Sequence, residues 1–309
     1  MIPEEIVRSP SWYESSARNR IAGVLDADTF HEILGPAERV MSPHLELFDL
    51  PPAFDDGVIV GRGQLDGKPV AIIAQEGQFM GGTFAEVSGA KIVGLLRAVT
   101  AAAGTPDGVS AVLLLLDTGG VRLQEANAGE LAVSETVRAL LGVRAAGIPV
   151  VALVGGRAGA FGGGGIVTAC CSHVVISEQG RISVTGPEVI ETNKGAEEFD
   201  SRDRALVWRV TGGRSRVLLG GADSYVKGDV ASFRAAAARS RNAAPPFTLE
   251  TMAAEQERLE KRLSSYGDCR DTPEIWARAG LADPASVPDI DDDAFLALLS
   301  EREIKHDAR

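Results

Sequence analysis

The sequence predicts an α/β fold built on a mostly parallel β-sheet. Two segments, Ala111–Leu116 and Pro149–Val154, are almost wholly apolar, which is typical of strands buried on both faces. Segments with helical periodicity alternate with them, and this alternation indicates βαβ units. Glycine is frequent, with 35 residues among 309, and its clusters follow the strands. Open α/β sheets place their ligands at that end of the strands.

Residues 1–56 are expected to form a polar, loop-rich N-terminal extension. One helix is predicted around Ser15–Leu25, where apolar residues recur on one face. Turn-forming residues then interrupt the chain, namely Pro43, Pro51, Pro52 and Asp55-Asp56-Gly57. We therefore assign this segment to an extension that precedes the main domain.

Residues 57–242 are predicted to form the main domain. It begins with two strands, Val58–Leu65 and Pro69–Gln75, joined by a hairpin turn at Asp66-Gly67. Helices and buried strands then alternate, over Ala85–Ala103, Ala111–Leu116, Gly129–Ala146, Pro149–Val154, a helix that ends at Ala169, and His173–Ser177. Two further helices are predicted at Arg202–Val210 and Asp229–Arg241.

Residues 243–309 are predicted to form a helical C-terminal arm. After Pro245-Pro246, the segment Thr248–Ser264 combines many charges with a few apolar residues, which are Leu249, Met252, Leu259 and Leu263. Two interpretations stay open: a helix that lies against another surface, or a solvated helix of the same domain. Residues 282–309 are acidic and are expected to be loosely organised.

The composition argues against several classes of protein. The chain has 43 acidic and 31 basic residues and a net charge of −12, whereas binding to nucleic acid needs clustered Lys and Arg. No apolar run approaches the roughly 18 residues of a membrane span, and the N-terminus lacks the pattern of a signal peptide. Three cysteines, two of them adjacent, do not suit a disulfide framework. We expect a reduced, cytoplasmic protein.

Two glycine clusters carry the chemical prediction. Gly119-Gly120 follows one buried strand, and Gly162–Gly165 lies between the next strand and a helix. The start of that helix offers unpaired N–H groups and the positive end of the dipole, which suit a phosphate or a developing oxyanion. Close helix–strand packing is the alternative explanation of the glycine run. A dinucleotide fingerprint does not appear in its required context, and no P-loop lysine follows.

Four segments in order resemble the carboxyltransferase family of the crotonase superfamily, whose members act on acyl thioesters. They are Phe79–Thr83, Thr118–Glu125, Pro149–Gly165 and Gly186–Glu191. Within this family, Gly119–Asn127 and Trp208–Asp223 are most similar to the beta subunits of biotin-independent malonate decarboxylases. The resemblance implies a ClpP/crotonase-like fold of repeated ββα units.

The resemblance also implies an oxyanion hole that stabilises an enolate. Its donors would be the backbone N–H groups of Val121 and Gly163, with Gly120 and Gly164 shaping the two turns. The substrate-binding residues implied beside them are Gly81, Gly82, Gly119, Arg122, Gly162 and Glu188. Arg122 has a structural alternative, which is an ion pair with Glu125 or Glu130. Packing explains Gly81-Gly82 equally well.

Departures from relatives narrow the expected function. The first cysteine is Cys170, so the four-cysteine zinc ribbon of bacterial acetyl-CoA carboxylase beta subunits is absent. The chain is too short for a second crotonase domain, which implies a separate partner subunit. Ile166 stands where hydratases of the superfamily carry a catalytic glutamate, so water addition is not expected. No metal site is expected at Cys170, Cys171 and His173, because adjacent cysteines point to different sides of an element.

We therefore expect the beta subunit of a malonate decarboxylase. It would convert a malonyl thioester on an acyl carrier protein into an acetyl thioester and CO2, together with a gamma-like partner subunit. The chain itself would hold no cofactor, because the acyl group travels on a CoA-like prosthetic arm of the carrier. The resulting hetero-oligomer would involve neither nucleic acid nor membrane.

Two alternatives remain for this function. One is a carboxyltransferase subunit of a biotin-dependent acyl-CoA carboxylase or malonate decarboxylase, and the other is a non-catalytic subunit that docks the carrier. The carrier itself is expected at a basic patch, formed by Arg202, Arg204, Arg209, Arg214 and Arg216.

Overall fold

A computed structural model describes residues 9–35, 37–38, 42–47, 49, 57–242 and 245–305. The strands in this part of the chain are β1 His31–Ile33, β2 Val58–Leu65, β3 Lys68–Gln75, β4 Ala111–Leu116, β5 Val150–Val154, β6 Ala160–Phe161, β7 His173–Ile176, β8 Ile182–Ser183 and β9 Ser224–Tyr225. The helices are α1 Ala17–Val24, α2 Pro43–Leu47, α3 Glu86–Ala101, α4 Ala128–Ala145, α5 Gly163–Ala169, α6 Pro187–Lys194, α7 Arg204–Thr211, α8 Gly213–Leu218, α9 Val230–Ser240, α10 Leu249–Tyr266, α11 Thr272–Arg278 and α12 Asp292–Lys305.

One seven-stranded sheet forms the centre of the molecule, in the order β1-β2-β3-β4-β5-β7-β9. The first three strands are antiparallel, and those from β3 to β9 are parallel. In the parallel part, Leu114 of β4 lies between Ile73 of β3 and Ala152 of β5. Strands β6 and β8 form a separate parallel pair. The predicted α/β class with a mostly parallel sheet is confirmed.

The central sheet is buried on both faces. In β4, Leu114 and Leu116 face the apolar cluster formed with α3 and α4, whereas Leu113 and Leu115 face the cluster formed with α1 and α9. Side chains alternate between the two faces along a strand. Only a strand that is apolar at every position can therefore pack against an apolar cluster on each face of the sheet. This explains why an unbroken apolar run predicts β4.

The N-terminal segment contributes to the main sheet and core. The Ser16 side chain caps α1 by accepting a hydrogen bond from the Asn19 N–H. The Trp12 ring stacks on Phe233 of α9 with 4.1 Å between ring centroids. Pro43, which the sequence suggested as a break, is the first residue of α2, a position that proline favours. Pro51, Pro52, Asp55 and Asp56 lie outside the described residues.

The C-terminal arm is helical, as predicted, but it is more regular than expected. Helix α12 occupies residues 292–305, so the predicted loose organisation is wrong for that part. Phe295 is fully buried, and its ring lies 4.6 Å from the Tyr225 ring in an edge-to-face contact. Helix α10 differs, since none of its residues is buried. No helix in the described ranges has both the length and the apolar character required to cross a bilayer.

Candidate active site

The two predicted glycine turns meet beyond the carboxyl ends of β4 and β5. The first turn, Gly119-Gly120, follows β4, and the second passes through Gly162 between β6 and α5. Gly120 and Gly162 have φ angles of 122° and 54°. A methyl group on Gly162 would lie 3.4 Å from the Cα of Gly120. The turns are therefore in van der Waals contact, and both positions favour a residue without a side chain.

Hydrogen bonds hold the first turn on several sides. The Gly119 N–H donates to the Gly81 carbonyl at 2.8 Å, and the Gly120 carbonyl accepts from the Phe84 N–H at 2.7 Å. The Gly120 N–H donates to the Thr118 hydroxyl at 3.1 Å. The segment around Gly81 thus lies directly against the turn, as the predicted set of site residues requires.

The backbone N–H groups of Val121 and Gly163, one after each turn, are open among the residues that the structure describes. Phe84 pairs with the carbonyl of Gly120 and with the N–H of Arg122, and Val121 between them donates to no described residue. Gly163 is the first residue of α5, and its N–H likewise has no described acceptor, as expected in the first turn of a helix. Two open donors on adjoining turns supply the chemistry that an oxyanion hole requires.

A buried ion pair supports the first turn from behind. Asp117 directly follows β4, and its Oδ2 accepts from Arg20 Nη1 at 2.8 Å. The two side chains are only 3% and 2% exposed. The other carboxylate oxygen accepts from the Ala158 N–H at 2.6 Å, in the loop that leads to the second turn. One carboxylate therefore joins α1, the end of β4 and the approach to Gly162.

Sequence reasoning missed this ion pair. Arg20 and Asp117 are 97 positions apart, so no local spacing connects them. The available signal was the position of Asp117, a charged residue immediately after a fully apolar strand. The end of such a strand is where α/β sheets collect functional groups.

Arg122 forms an ion pair with Glu125, which was predicted as the alternative to substrate binding. Its Nη1 lies 3.0 Å from Glu125 Oε1, and neither side chain is exposed. Its Nε also donates to the Thr83 hydroxyl at 3.3 Å. The second oxygen of Glu125 accepts from the Glu86 N–H at 2.8 Å. The ion pair with Glu125 is confirmed, and substrate binding by Arg122 stays a prediction.

Most of the predicted site residues come together at this junction. Gly164 packs on Thr118, because a methyl group at Gly164 would lie 2.3 Å from Thr118 Cγ2. Glu188 is different, since it lies exposed at the start of α6 and lines a separate pocket. The residues gathered around the two turns are Gly81, Gly82, Gly119, Gly120, Val121, Arg122, Gly162, Gly163 and Gly164.

Exposed apolar side chains border the turns. They lie on the segments that follow Val121 and Gly163, directly after β8, and on α6. Exposed apolar side chains that share one surface are typical of a contact with a ligand or another subunit. The exposed residues are Leu123, Leu131, Ile166, Val184 and Val189.

The thiols and the histidine of the α5–β7 region are structural. His173 Nε2 lies 2.8 Å from the Ser224 hydroxyl, and burial lowers the pKa of this histidine. Burial also raises the pKa of the Cys171 thiol, which keeps it protonated. The Cys171 thiol is therefore not a nucleophile at neutral pH, and the His173 ring is bound to Ser224 of β9.

Among the described residues, His44, Glu86 and Glu125 have ligand atoms close enough to surround a metal ion. Glu125 is already neutralised by Arg122. His44 Nδ1 lies 3.1 Å from Glu86 Oε2. The three side chains are thus explained as part of a charge network with Arg122.

The basic patch predicted for the carrier is only partly available. Arg214 is buried, lies 3.2 Å from Glu178 Oε1 and donates to the Val287 carbonyl at 2.8 Å. Half-buried Arg216 donates to a backbone carbonyl of α7. Arg214 therefore anchors the C-terminal arm, and the prediction of a docking role for it is wrong. Arg202 and Arg204 are exposed.

Comparison with known proteins connects this site to one family. Residues 14–210 match the carboxyl transferase domain family. The malonyl-S-ACP:biotin-protein carboxyltransferase of Malonomonas rubra is 37% identical over 307 residues, which cover 94% of this chain and 96% of that protein.

Two solved structures share both sequence and fold with the chain. One belongs to a Pseudomonas malonate decarboxylase hetero-tetramer in complex with malonate, with a TM-score of 0.79 and 39% identity over 88% of this chain and 98% of the other. The second belongs to a Pseudomonas malonate decarboxylase hetero-dimer, with a TM-score of 0.65 and 36% identity over 81% and 96% of the two chains.

Proposed function

The chain belongs to the carboxyl transferase family, and from that premise we propose that it is the beta-type subunit of a malonate decarboxylase. Its substrates are a malonyl thioester and a proton, which protonates the enolate carbon, and its products are an acetyl thioester and CO2. One observation carries the proposal: Val121 and Gly163, whose N–H groups have no described acceptor, follow two glycine turns that contact each other. The similarity to malonate decarboxylase subunits over nearly the whole chain supports it.

The open N–H groups act on the charge that develops when CO2 leaves. The electron pair of the broken carbon–carbon bond passes into an enolate, whose negative oxygen derives from the thioester carbonyl. Val121 and Gly163 donate hydrogen bonds to that oxygen. Because the turns hold the donors in place beforehand, no reorganisation opposes the reaction, and one such donor contributes about 10²–10³ in rate.

The residues around the turns suit this reaction better than hydration. Departure of CO2 itself supplies the electron pair, so no side chain has to remove a proton from carbon. Ile166 is partly exposed on α5, one turn beyond Gly163, and its apolar side chain activates no water. This favours an enolate-forming reaction over the addition of water.

A gamma-like subunit and an acyl carrier protein complete the proposed system. The apolar residues that border the turns provide a surface for another subunit, and the two Pseudomonas relatives were crystallised as hetero-oligomers. The carrier presents the malonyl group on a CoA-like arm, so the chain itself holds no cofactor. Three free cysteines suit the reducing cytoplasm, where we place the reaction.

A second candidate is transfer of the carboxyl group to a biotin protein. The Malonomonas relative, a malonyl-S-ACP:biotin-protein carboxyltransferase, favours it. Both reactions pass through the same enolate, so the same N–H donors serve either one. They differ only in the acceptor of the carboxyl group. A subunit that merely docks the carrier is a third candidate, but it would make no use of the two open donors.

The test combines the full chain with its gamma-type partner subunit and a malonyl-loaded carrier. CO2 release is measured with and without avidin, which sequesters biotin. Equal release in both samples is the expected result. If avidin blocks CO2 release, the proposed function is carboxyl transfer to biotin and not direct decarboxylation. Retained carrier binding without any CO2 release would reduce the chain to a docking subunit.

A further inference from the structure

A second charged site lies beside the glycine turns. It is a pocket of about 230 Å³, here called the arginine pocket. Its lining includes three arginines and a single acidic side chain, Glu188. The side chains that matter are those of Tyr13, Arg157, Arg181, Glu188, Arg204 and Trp208. On a chain with a net charge of −12, such a local excess of positive charge indicates an anionic ligand.

Arg181 connects the arginine pocket to the second glycine turn. It directly precedes β8, and its carbonyl accepts from the Ala160 N–H of β6 at 2.8 Å. Its guanidinium carbon lies 5.6 Å from the centroid of the Phe161 ring. Phe161 is the residue before Gly162. The strand pair β6–β8 thus lies between the arginine pocket and the open N–H of Gly163.

Two of the three guanidinium groups have no carboxylate partner among the described residues. Arg157 is paired with Glu14. Arg181 and Arg204 instead lie over the Trp208 ring, with their guanidinium carbons 4.4 and 5.3 Å from its centroid. Arg181 Nη2 donates to the Arg157 carbonyl, whereas Arg181 Nε is buried and has no hydrogen-bond partner in the described part of the chain. Burial lowers the pKa of this guanidinium, and a bound anion would offset that cost.

The chemistry of decarboxylation decides which anion fits. Arginines that gripped the departing carboxylate would stabilise the ground state and oppose the loss of CO2. A phosphate group that takes no part in the reaction carries no such penalty. Guanidinium forks also match phosphate oxygens in bidentate geometry. The pocket is therefore suited to the non-reacting, phosphorylated part of a substrate.

We propose that the arginine pocket binds the phosphate ester of the arm that carries the acyl group, through Arg181 and Arg204. This inference rests on the proposed function, which supplies such an arm. It gives the positively charged pocket a task that the glycine turns do not perform. The arm is held at its phosphate while the thioester reaches the open N–H groups.

Calorimetric titration of the full chain in phosphate-free buffer tests the proposal. The probes are coenzyme A, pantetheine (the same arm without its phosphates and adenosine) and inorganic phosphate. Coenzyme A is expected to bind at least tenfold more tightly than pantetheine. Arg204→Gln and Arg181→Gln should each weaken coenzyme A binding about tenfold, the usual worth of a charge-assisted hydrogen bond.

Arg202→Gln is the matched control, because Arg202 is exposed two residues from Arg204 and does not line the pocket. It removes the same charge and should leave binding unchanged. Equal affinity for coenzyme A and pantetheine, absent coenzyme A binding, or equal effects of Arg202→Gln and Arg204→Gln would each overturn the proposal.

The same titrations separate the arm from a free phosphorylated ligand. If inorganic phosphate binds as tightly as coenzyme A, the arm adds no affinity and is not the occupant. If coenzyme A binds as expected but the assembled complex releases no CO2, the proposed function fails while the pocket assignment stands.

Discussion

The glycine turns and helix α10 use their residues in opposite ways. Around the turns, backbone hydrogen bonds and the Arg20–Asp117 ion pair hold the chain in place, and the N–H groups of Val121 and Gly163 donate to no described residue. Along α10, none of the 18 residues is buried. Its exposed apolar residues, Leu249, Met252, Leu259 and Leu263, are spaced 3, 7 and 4 apart and form one stripe. We expect the geometry of the oxyanion hole to be set within this chain, and the stripe on α10 to be covered by another subunit.

Replacement of Arg20 has the largest expected effect, because it tests whether the buried ion pair supports the glycine turns. Arg20→Gln leaves Asp117 as a buried carboxylate without its cation, which should cost about 3–5 kcal/mol of unfolding free energy. Arg18→Gln is the matched control on the same helix, because the Arg18–Glu32 pair is partly exposed. Its expected cost is at most about 1 kcal/mol. Urea denaturation of both variants measures the difference, and similar losses would show that the buried pair does not support the turns.

A second test acts on the turn itself. Gly120→Ala places a methyl group 3.4 Å from the Phe161 carbonyl and strains a φ of 122°. We expect turnover of the reconstituted complex to fall about 10²–10³-fold, because the donor of Val121 shifts. Gly163 is a less selective target, since a methyl group there would lie 2.4 Å from Val133 Cγ2.

The control for Gly120→Ala is Gly147→Ala. Gly147 also has a positive φ, of 79°, but no atom lies within 4 Å of an added methyl group. This variant shares the backbone strain, which costs about 1–3 kcal/mol, and should keep its turnover. Single-turnover CO2 release compares the two. Full activity of Gly120→Ala would remove the turn from the mechanism.

A third test concerns the stripe on α10. We expect the gamma-type partner subunit to cover it, so Leu263→Glu should weaken assembly about tenfold without lowering the melting temperature of the free chain. Ser264→Glu adds the same charge at the neighbouring exposed position and should have little effect. Analytical ultracentrifugation of the mixed subunits measures both. Unchanged assembly of Leu263→Glu would favour the solvated helix that the sequence left open.

The smallest expected effect concerns His173, which lies in the parallel sheet away from both regions. Because burial lowers its pKa in the folded state, the unfolded chain binds the proton more readily. Stability should therefore decline as the pH falls below the ordinary histidine pKa of about 6.5. His173→Asn should flatten this decline, by about 1 °C in melting temperature between pH 7 and pH 5.5. Parallel melting curves for the variant and the wild type would contradict the assignment.

The strongest sequence patterns predict the strands that are buried on both faces of the central sheet. An unbroken apolar run predicts β4 with its observed bounds, and glycine clusters predict both turns, because a tight turn and a close backbone approach need glycine. Helix α12 was missed because its acidic residues hide Phe295. The partner that buries Phe295 is Tyr225, 70 positions earlier. Long-range contacts of this kind leave no periodicity.

The same reason limits prediction of the site. Val121 and Gly163 follow recognisable motifs, so a family resemblance locates them. Arg20 and Asp117 come from distant segments, and only the folded sheet shows that they meet. Arg181 and Arg204 lack a carboxylate partner among the described residues, and this becomes visible only in three dimensions, where both guanidinium groups lie over the Trp208 ring of α7.

The ion pair behind the first turn also has a consequence for the timing of synthesis. Helix α1 leaves the ribosome early, but the surface that receives it includes Phe233 and the other buried residues of α9, more than 200 positions later. We expect Arg20 to be held firmly against Asp117 only after α9 has emerged and packed on α1. A nascent chain that stalls before residue 230 lacks the support of its first glycine turn. We expect such a chain to be inactive when it is released. Packing of the N-terminal helix α1 therefore requires that translation has continued through α9.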